Sequence, residues 1–210
     1  MSLLFNIRQC SSCQLRYPLQ QGHSFGTRCP HCLGETQVIT SKVIREEERA
    51  FKKSPASKSE FRAVLLDNIR SAWNVGSIFR SADGFGYDHI YLCGITPTPD
   101  VEAVGKTSLG AEDYIPWSSH KDAVKLVLGL KNEGWRIIAL EEDGNAKDLR
   151  KVKNIKVEKS VLLLGSEVTG IDPDLLSLAD EVYAIPMLGQ KRSLNVAIAF
   201  SVAAYALSGK

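Results

Sequence analysis

The stretch "SVLLLGSEVTGIDPDLLSLADEVYAIP", residues 160–186, decides the fold. An unbroken apolar run ends in Gly165, and a glycine-bearing turn follows. "DPDLLSLA" (172–179) then reads as a short helix with proline at its start, and "EVYAIP" (181–186) returns to strand. Strands that are apolar throughout, rather than alternating, are covered on both faces, and helices between them imply parallel pairing. The same alternation continues toward the N-terminus. "RAVLLDN" (62–68), "HIYLCG" (89–94) and "WRIIAL" (135–140) read as strands; helices are expected over about 74–83, 100–108 and 120–134, the last stopped by Gly134. After Leu194 an apolar run continues to Leu207 and reads as a core helix. The fold class is α/β, a parallel sheet with helices on both faces.

A chain of 210 residues holds one full core plus a small satellite. The expected division is a zinc-ribbon domain at 1–40, a charged helix and linker at 41–60, and a main domain at 61–210. Apolar residues make up 44% and charged residues 24%, as in a globular protein, which argues against disorder or a fibre. The C-terminal apolar run contains Asn195, Ser201 and Tyr205 and is rich in alanine, so a core helix is preferred to a membrane span. The first residues carry no leader-like pattern, which makes the cytoplasm the expected location. Residues 1–40 hold Arg8, Arg16 and Arg28 against Glu35, and the remainder is electrically balanced. Charge alone therefore does not point to a polyanionic partner, and any such claim must come from a site.

Four of the five cysteines fall as Cys10-x2-Cys13 and Cys29-x2-Cys32. Two tight knuckles at that spacing bring four thiolates to the corners of a tetrahedron, the closed geometry of structural Zn²⁺. Few large apolar residues surround them, so the metal would supply the folding free energy. Two disulfides, the other reading, require an oxidising compartment. Arg8, Arg16, Arg28, Tyr17 and Phe25 could grip nucleic acid or protein. Cys93, inside an apolar strand, reads as inert packing.

Ligands of open parallel sheets gather beyond the carboxyl ends of the strands, here the loops after residues 68, 165 and 186. In "DNIRSAWNVGSIFRSADGFG" (67–86), Asn74 reads as a helix N-cap, and Gly76 lets a backbone or ligand approach. Arg80 could fork onto a phosphate or pair with Asp83 on the surface. In "LLLGSEVTGID" (162–172), paired glycines let the backbone pass close to a ligand, and Glu167 could orient a hydroxyl or amine. In "LGQKRSLNVAIAF" (188–200), Ser193 reads as an N-cap and Asn195 faces the loop, with Lys191 and Arg192 adding charge outside. Neither a P-loop nor the Gly-x-Gly-x-x-Gly fingerprint of dinucleotide enzymes is present, which excludes the usual oxidoreductase reading.

Taken in order, "NVGSIFR", "GSEVTG" and "IPMLGQKRSLNVAIA" resemble the three motifs of the SpoU/TrmH-type RNA 2′-O-ribose methyltransferases of the SPOUT class, and "GKTSLGAEDYIPW" (105–117) is similar to the segment between them. The resemblance covers about 62–208 and leaves out the cysteine segment. Ser166 and Ala197 depart from the usual residues, which bears on subfamily rather than reaction.

The resemblance implies a C-terminal trefoil knot and S-adenosylmethionine as methyl donor, held at Leu164, Gly165, Glu167, Gly170, Ile185, Met187, Leu194 and Asn195. It also implies a ribose 2′-hydroxyl of tRNA or rRNA as acceptor, and a homodimer whose groove is shared between subunits. Arg80, Asn74, Glu167, Ser193 and Asn195 would form the catalytic set. A guanidinium is a poor base, so Arg80 is read as gripping the phosphate and stabilising developing charge. The rival reading is a non-catalytic RNA- or ribosome-binding adaptor.

Overall fold

The computed structural model describes residues 2–24, 27–45, 60–152 and 158–208. The chain divides into two compact units, Met1–Ala56 and Ser57–Lys210. In the first, β1 (Ser2–Cys10), β2 (Arg16–Gln20) and β3 (Thr36–Arg45) form an antiparallel sheet in the order β2-β1-β3. The helix expected from residue 41 is not formed over 41–45, because Val43 and Ile44 pair with Leu4 and Leu3 of β1. β-branched residues with cross-strand partners override the neighbouring charge run. The rest of that expected helix and linker, 46–59, lies outside the described residues.

The second unit runs β4 (Phe61–Asp67), α1 (Ala72–Phe85), β5 (His89–Cys93), α2 (Glu102–Ser108), β6 (Trp117–His120), α3 (Ala123–Asn132), β7 (Arg136–Leu140) and β8 (Lys147–Asp148). It closes with β9 (Lys159–Leu164), α4 (Pro173–Ser177), β10 (Glu181–Ala184) and α5 (Val196–Leu207). Seven strands form one sheet in the order β6-β5-β4-β9-β7-β10-β8, every pair parallel. The short edge strands β6 and β8 carry too little apolar patterning to be read from sequence. β6 also claims His120, and α3 starts only after Asp122, whose carboxylate accepts from the Lys125 N–H at 2.9 Å.

The sheet is buried on both faces, as continuous apolar strands require. Val64, Leu66, Leu162 and Leu164 join Ile78, Phe79 and Phe200 beneath α1 and α5, whereas Ala63, Leu65, Val161 and Leu163 join Val127, Leu130 and Leu175 beneath α3 and α4. This two-residue alternation sends neighbouring side chains into two different cores. α1 lies close to α2 because Gly76 has no side chain: a Cβ there would sit 2.2 Å from the Val104 carbonyl oxygen and 2.1 Å from Thr107 Oγ1. The space at Gly76 thus serves a neighbouring helix.

α5 is only half a core helix. Ala197, Phe200, Ala203 and Ala204 are buried, Ser201 Oγ meets Ser81 Oγ of α1 at 2.8 Å, and Phe200 packs edge-on against Tyr87. Its other side leaves Ile198, Val202 and Tyr205 exposed, Tyr205 by 73%. A helix apolar all round with one bare face is shaped for a second surface.

Candidate functional site

The turns at the carboxyl ends of β4, β7, β9 and β10 meet the start of α5. Two helix caps build the centre of this region, and neither is the one the sequence suggested. Ser71, not Asn74, caps α1, its Oγ accepting from the Asn74 N–H at 3.3 Å. Asn195, not Ser193, caps α5, its Oδ1 accepting from Ala197 N–H at 2.9 Å and Ile198 N–H at 3.3 Å. In both cases the chain enters the helix later or earlier than the polar pattern implies, because the residue whose oxygen reaches the free N–H groups is the one in extended backbone.

Capping fixes which way the Asn195 amide points. With Oδ1 committed to the helix, Nδ2 donates to Asn74 Oδ1 at 3.0 Å, and Asn74 Nδ2 in turn donates to Glu167 Oε1 at 2.8 Å. Glu167 also accepts the Arg70 N–H on Oε2 at 3.0 Å and the Ser71 N–H on Oε1 at 3.3 Å. Partial burial opposes the charge, but the Arg70 N–H and the Asn74 amide outweigh it and hold the Glu167 carboxyl below its ordinary range. Glu167 is therefore an anionic anchor with its acceptors engaged, suited to orienting Asn74 and poorly suited to taking a proton.

The glycine turn is a backbone weld. A Cβ on Gly165 would lie 2.1 Å from both the Gly170 carbonyl carbon and the Ile171 nitrogen, so Gly165 makes room for the chain itself rather than for a ligand. Gly170 has φ +73° and donates its N–H to the Ser166 carbonyl at 2.9 Å. Glu141, just past β7, braces the turn by accepting the Ile171 N–H at 2.8 Å. The sequence reading missed Glu141, although a carboxylate beyond the carboxyl end of a parallel strand stands where ligand crevices open.

A cavity of about 480 Å³ opens here. Leu164, Gly165, Glu167, Gly170, Ile185, Met187, Leu194 and Asn195 all line it, as does Ser193; Glu141, Glu142 and Arg192 join them. Asn74 reaches its edge through Glu167 and Asn195. Arg80 does not line it: it is exposed on α1, and among the described residues no ion pair joins it to Asp83. Cys93 is buried, and burial pushes its thiol up to about 12, as inert packing requires.

The first unit holds a separate cluster. Cys10, Cys13, Cys29 and Cys32 place their sulfurs within 4.8 Å of one another, with Cys10 to Cys32 at 3.4 Å and Cys13 to Cys29 at 3.6 Å. None is in a disulfide. Each knuckle turns through a left-handed residue after its second cysteine, Gln14 at φ 63° and Leu33 at φ 60°, whose N–H returns to the carbonyl of Cys10 or Cys29. The Cys13 N–H contacts Cys10 Sγ and brings that thiol down to about 6. Cys13, despite the Leu15 N–H that favours its thiolate, is pushed up to about 12 by burial and the adjacent sulfurs.

Of the residues offered for gripping a partner, Arg8 is buried, its guanidinium on Thr36 Oγ1 at 2.7 Å. Arg28 pairs with Glu35 at 3.7 Å, and the Tyr17 hydroxyl donates to the Arg28 carbonyl at 3.1 Å. Arg16 is exposed, and Phe25 lies outside the described residues.

A parallel sheet whose carboxyl-end turns close a cavity edged by a locked Asn–Asn–Glu relay defines an α/β ligand-binding unit of the SPOUT kind. Residues 62–205 match the SpoU rRNA Methylase family, and the chain belongs to it. It is similar to the tRNA (guanosine(18)-2′-O)-methyltransferase of Escherichia coli, 29% identical over 142 residues covering 68% of this chain and 60% of that protein. The enzyme of the same description from Thermus thermophilus is 32% identical over 139 residues, 66% of this chain and 70% of its own. The structure of an AdoMet-bound rRNA methyltransferase from Sinorhizobium meliloti superposes with a TM-score of 0.65 at 27% identity, over 71% of this chain and 56% of that one. The chain thus spans somewhat over half the length of several of its relatives.

Proposed function

We propose that this chain transfers a methyl group from S-adenosylmethionine to a ribose 2′-hydroxyl of tRNA or rRNA. The observation that carries the proposal is the relay Asn195–Asn74–Glu167 on the edge of the cavity, assembled from three turns far apart in sequence. The similarity to 2′-O-methyltransferases and to an AdoMet-bound structure supports it.

The residues present fit the methyl donor. The cavity volume falls within the ~300–1,000 Å³ typical of small-ligand sites. Leu140, Leu164, Ile185 and Met187 offer apolar walls, and Glu141, Glu142 and Glu167 suit a ligand bearing a sulfonium and an ammonium. Bound there, S-adenosylmethionine supplies an electrophilic methyl group. The chain's part is to hold and orient. Glu167 fixes Asn74, Asn74 fixes the Asn195 amide, and Ser193 offers a hydroxyl beside them. The carboxylate of Glu167 is engaged by three donors and held below its ordinary range, so it positions rather than deprotonates. Arg80, exposed on α1, grips the phosphate beside the target ribose and stabilises negative charge on the attacking oxygen, whose proton passes to solvent water.

Because Arg80 stands off its own chain's cavity, a homodimer sharing the groove accounts for its place, with the bare face of α5 as part of the contact. The trefoil crossing of the last strands belongs to the same proposal. In the first unit, the four cysteines hold Zn²⁺: a tetrahedron with Zn–S of ~2.3 Å has S···S edges of about 3.8 Å, close to the 3.4 and 3.6 Å found. The ribbon would extend the RNA-binding surface, with Arg16 an exposed cation available to it. Among the described residues no helix is long and apolar enough to cross a membrane; the cytoplasm as its place of work is part of the same proposal.

The test is methyl transfer from labelled S-adenosylmethionine into bulk RNA, followed by mapping of the modified ribose. Label on ribose 2′-oxygen supports the proposal. Binding of RNA and methyl donor with no transfer would leave the adaptor reading in its place.

A further inference from the structure

The exposed aromatic ring of Trp73 has no part in the core or in the relay. It occupies the second position of α1 and is 57% exposed, one residue before Asn74. Its backbone is held: the Trp73 carbonyl accepts from Ser77 Oγ at 2.8 Å and from Thr107 Oγ1 of α2 at 3.1 Å. The neighbouring Asn74 is locked to Glu167 and Asn195. A large ring thus stands on a held stretch of backbone, next in sequence to the relay.

Two arginines accompany it, on α1 and on the turn before α1, where the Glu167 carboxylate holds the backbone and Asn74. Seven residues make nearly two helical turns, so Trp73 and Arg80 share one face of α1. Arg70 precedes the helix and is exposed, and neither arginine is in an ion pair among the described residues. An exposed aromatic face in company with two guanidinium groups is the chemistry that takes a nucleobase and its flanking phosphates. Duplex bases are stacked on each other and do not offer a free face.

Resting on the methyl-transfer reading, we propose that Trp73 stacks on an unpaired base next to the target ribose, so that the substrate is a single-stranded or looped segment of RNA. Stacking on an indole tolerates any base. Trp73 therefore sets the requirement for an unpaired nucleotide, not the identity of that nucleotide.

The experiment uses the full chain with polyuridine, and with the polyuridine–polyadenine duplex as control. Tryptophan emission is compared for wild type and Trp73→Phe, which isolates the Trp73 signal from Trp117 and Trp135. Polyuridine is expected to quench the Trp73 signal and the duplex to leave it unchanged. Trp73→Ala should weaken polyuridine binding by about 5- to 150-fold, the range for loss of one stacked base, with KM for RNA raised more than kcat is lowered. Trp73→Phe should restore most of the affinity. Equal affinity of Trp73→Ala and wild type for polyuridine overturns the proposal while active methyl transfer keeps the wider reading intact. A Trp73→Ala protein that changes its sedimentation also overturns it, since the ring would then pack on a second copy. If wild type binds no RNA at all, the methyl-transfer reading fails first and takes this one with it.

Discussion

Asn195 donates to Asn74 across 121 residues of sequence at 3.0 Å, and the same side chain caps the final helix. One amide therefore serves a helix end and the site. Asn195→Ala should remove the cap, at about 1 kcal/mol, and lower methyl transfer by on the order of 10²-fold through misplacement of the relay. Asn195→Asp keeps a capping oxygen but loses the donor. It should hold its melting temperature near wild type and still lose activity, read by calorimetry alongside the transfer assay.

Gly165 admits no side chain. Gly165→Ala drives a methyl group against the Gly170 carbonyl carbon at 2.1 Å, and overpacking of this kind costs about 1–3 kcal/mol. Thermal unfolding should shift down by roughly 2–4 °C for each kcal/mol. Unchanged melting and donor binding would show that the turn can open, against its being a weld.

Removing metal should act on one unit alone. A chelator that strips Zn²⁺, or Cys10→Ser, is expected to unfold the first unit and leave binding of S-adenosylmethionine by the second intact. Protease protection of residues 1–45 against that of 60–208, followed by mass spectrometry, reports the split. Protection of the ribbon that survives complete metal loss would refute the zinc assignment.

Glu181 joins Arg136 at 2.5 Å, Lys147 at 3.1 Å and the Tyr183 hydroxyl at 2.6 Å. Burial resists its charge, but the Tyr183, Arg136 and Lys147 contacts hold its carboxyl at about 2, below the ordinary 4.5. Its contribution to stability is thus complete above pH 4.5 and is lost as pH falls toward about 2. Glu181→Gln should be less stable than wild type at neutral pH, and the gap should close on acidification. Parallel stability–pH curves would contradict this.

The bare face of α5 gives a test of assembly. Tyr205→Glu with Ile198→Asp places charge on exposed apolar positions and should yield a monomer by sedimentation without loss of the fold. Methyl transfer should fall with the dimer. A monomeric double variant of full activity would remove the shared groove.

Most of the sheet was legible because its central strands bury both faces, and 63–66, 90–93, 137–140 and 161–164 are apolar without interruption. Polar edge strands such as Trp117–His120 are held by a neighbour's hydrogen bonds rather than by their own side chains, which leaves no trace in local pattern. The cavity-lining residues were legible through the resemblance, since Leu164, Ile185 and Met187 have no chemistry that marks them individually. Caps were misplaced by up to three residues because Ser71 and Asn74, like Ser193 and Asn195, are equally good cap formers. For Ser71 and Asn74 the partner that holds the arrangement is Glu167, nearly a hundred residues away, which accepts from the Ser71 N–H and the Asn74 amide. Glu141 was missed for the same reason: its partner, the Ile171 N–H, is distant in sequence.

The cavity draws its walls from residues 140 to 199 and its outer bracket from the start of α1. During synthesis the pocket stays incomplete until the last helix has left the ribosome, because the contacts that close it are long in sequence and slow to form. A nascent chain therefore has no means of capturing the methyl donor early, and competence arrives in one late step.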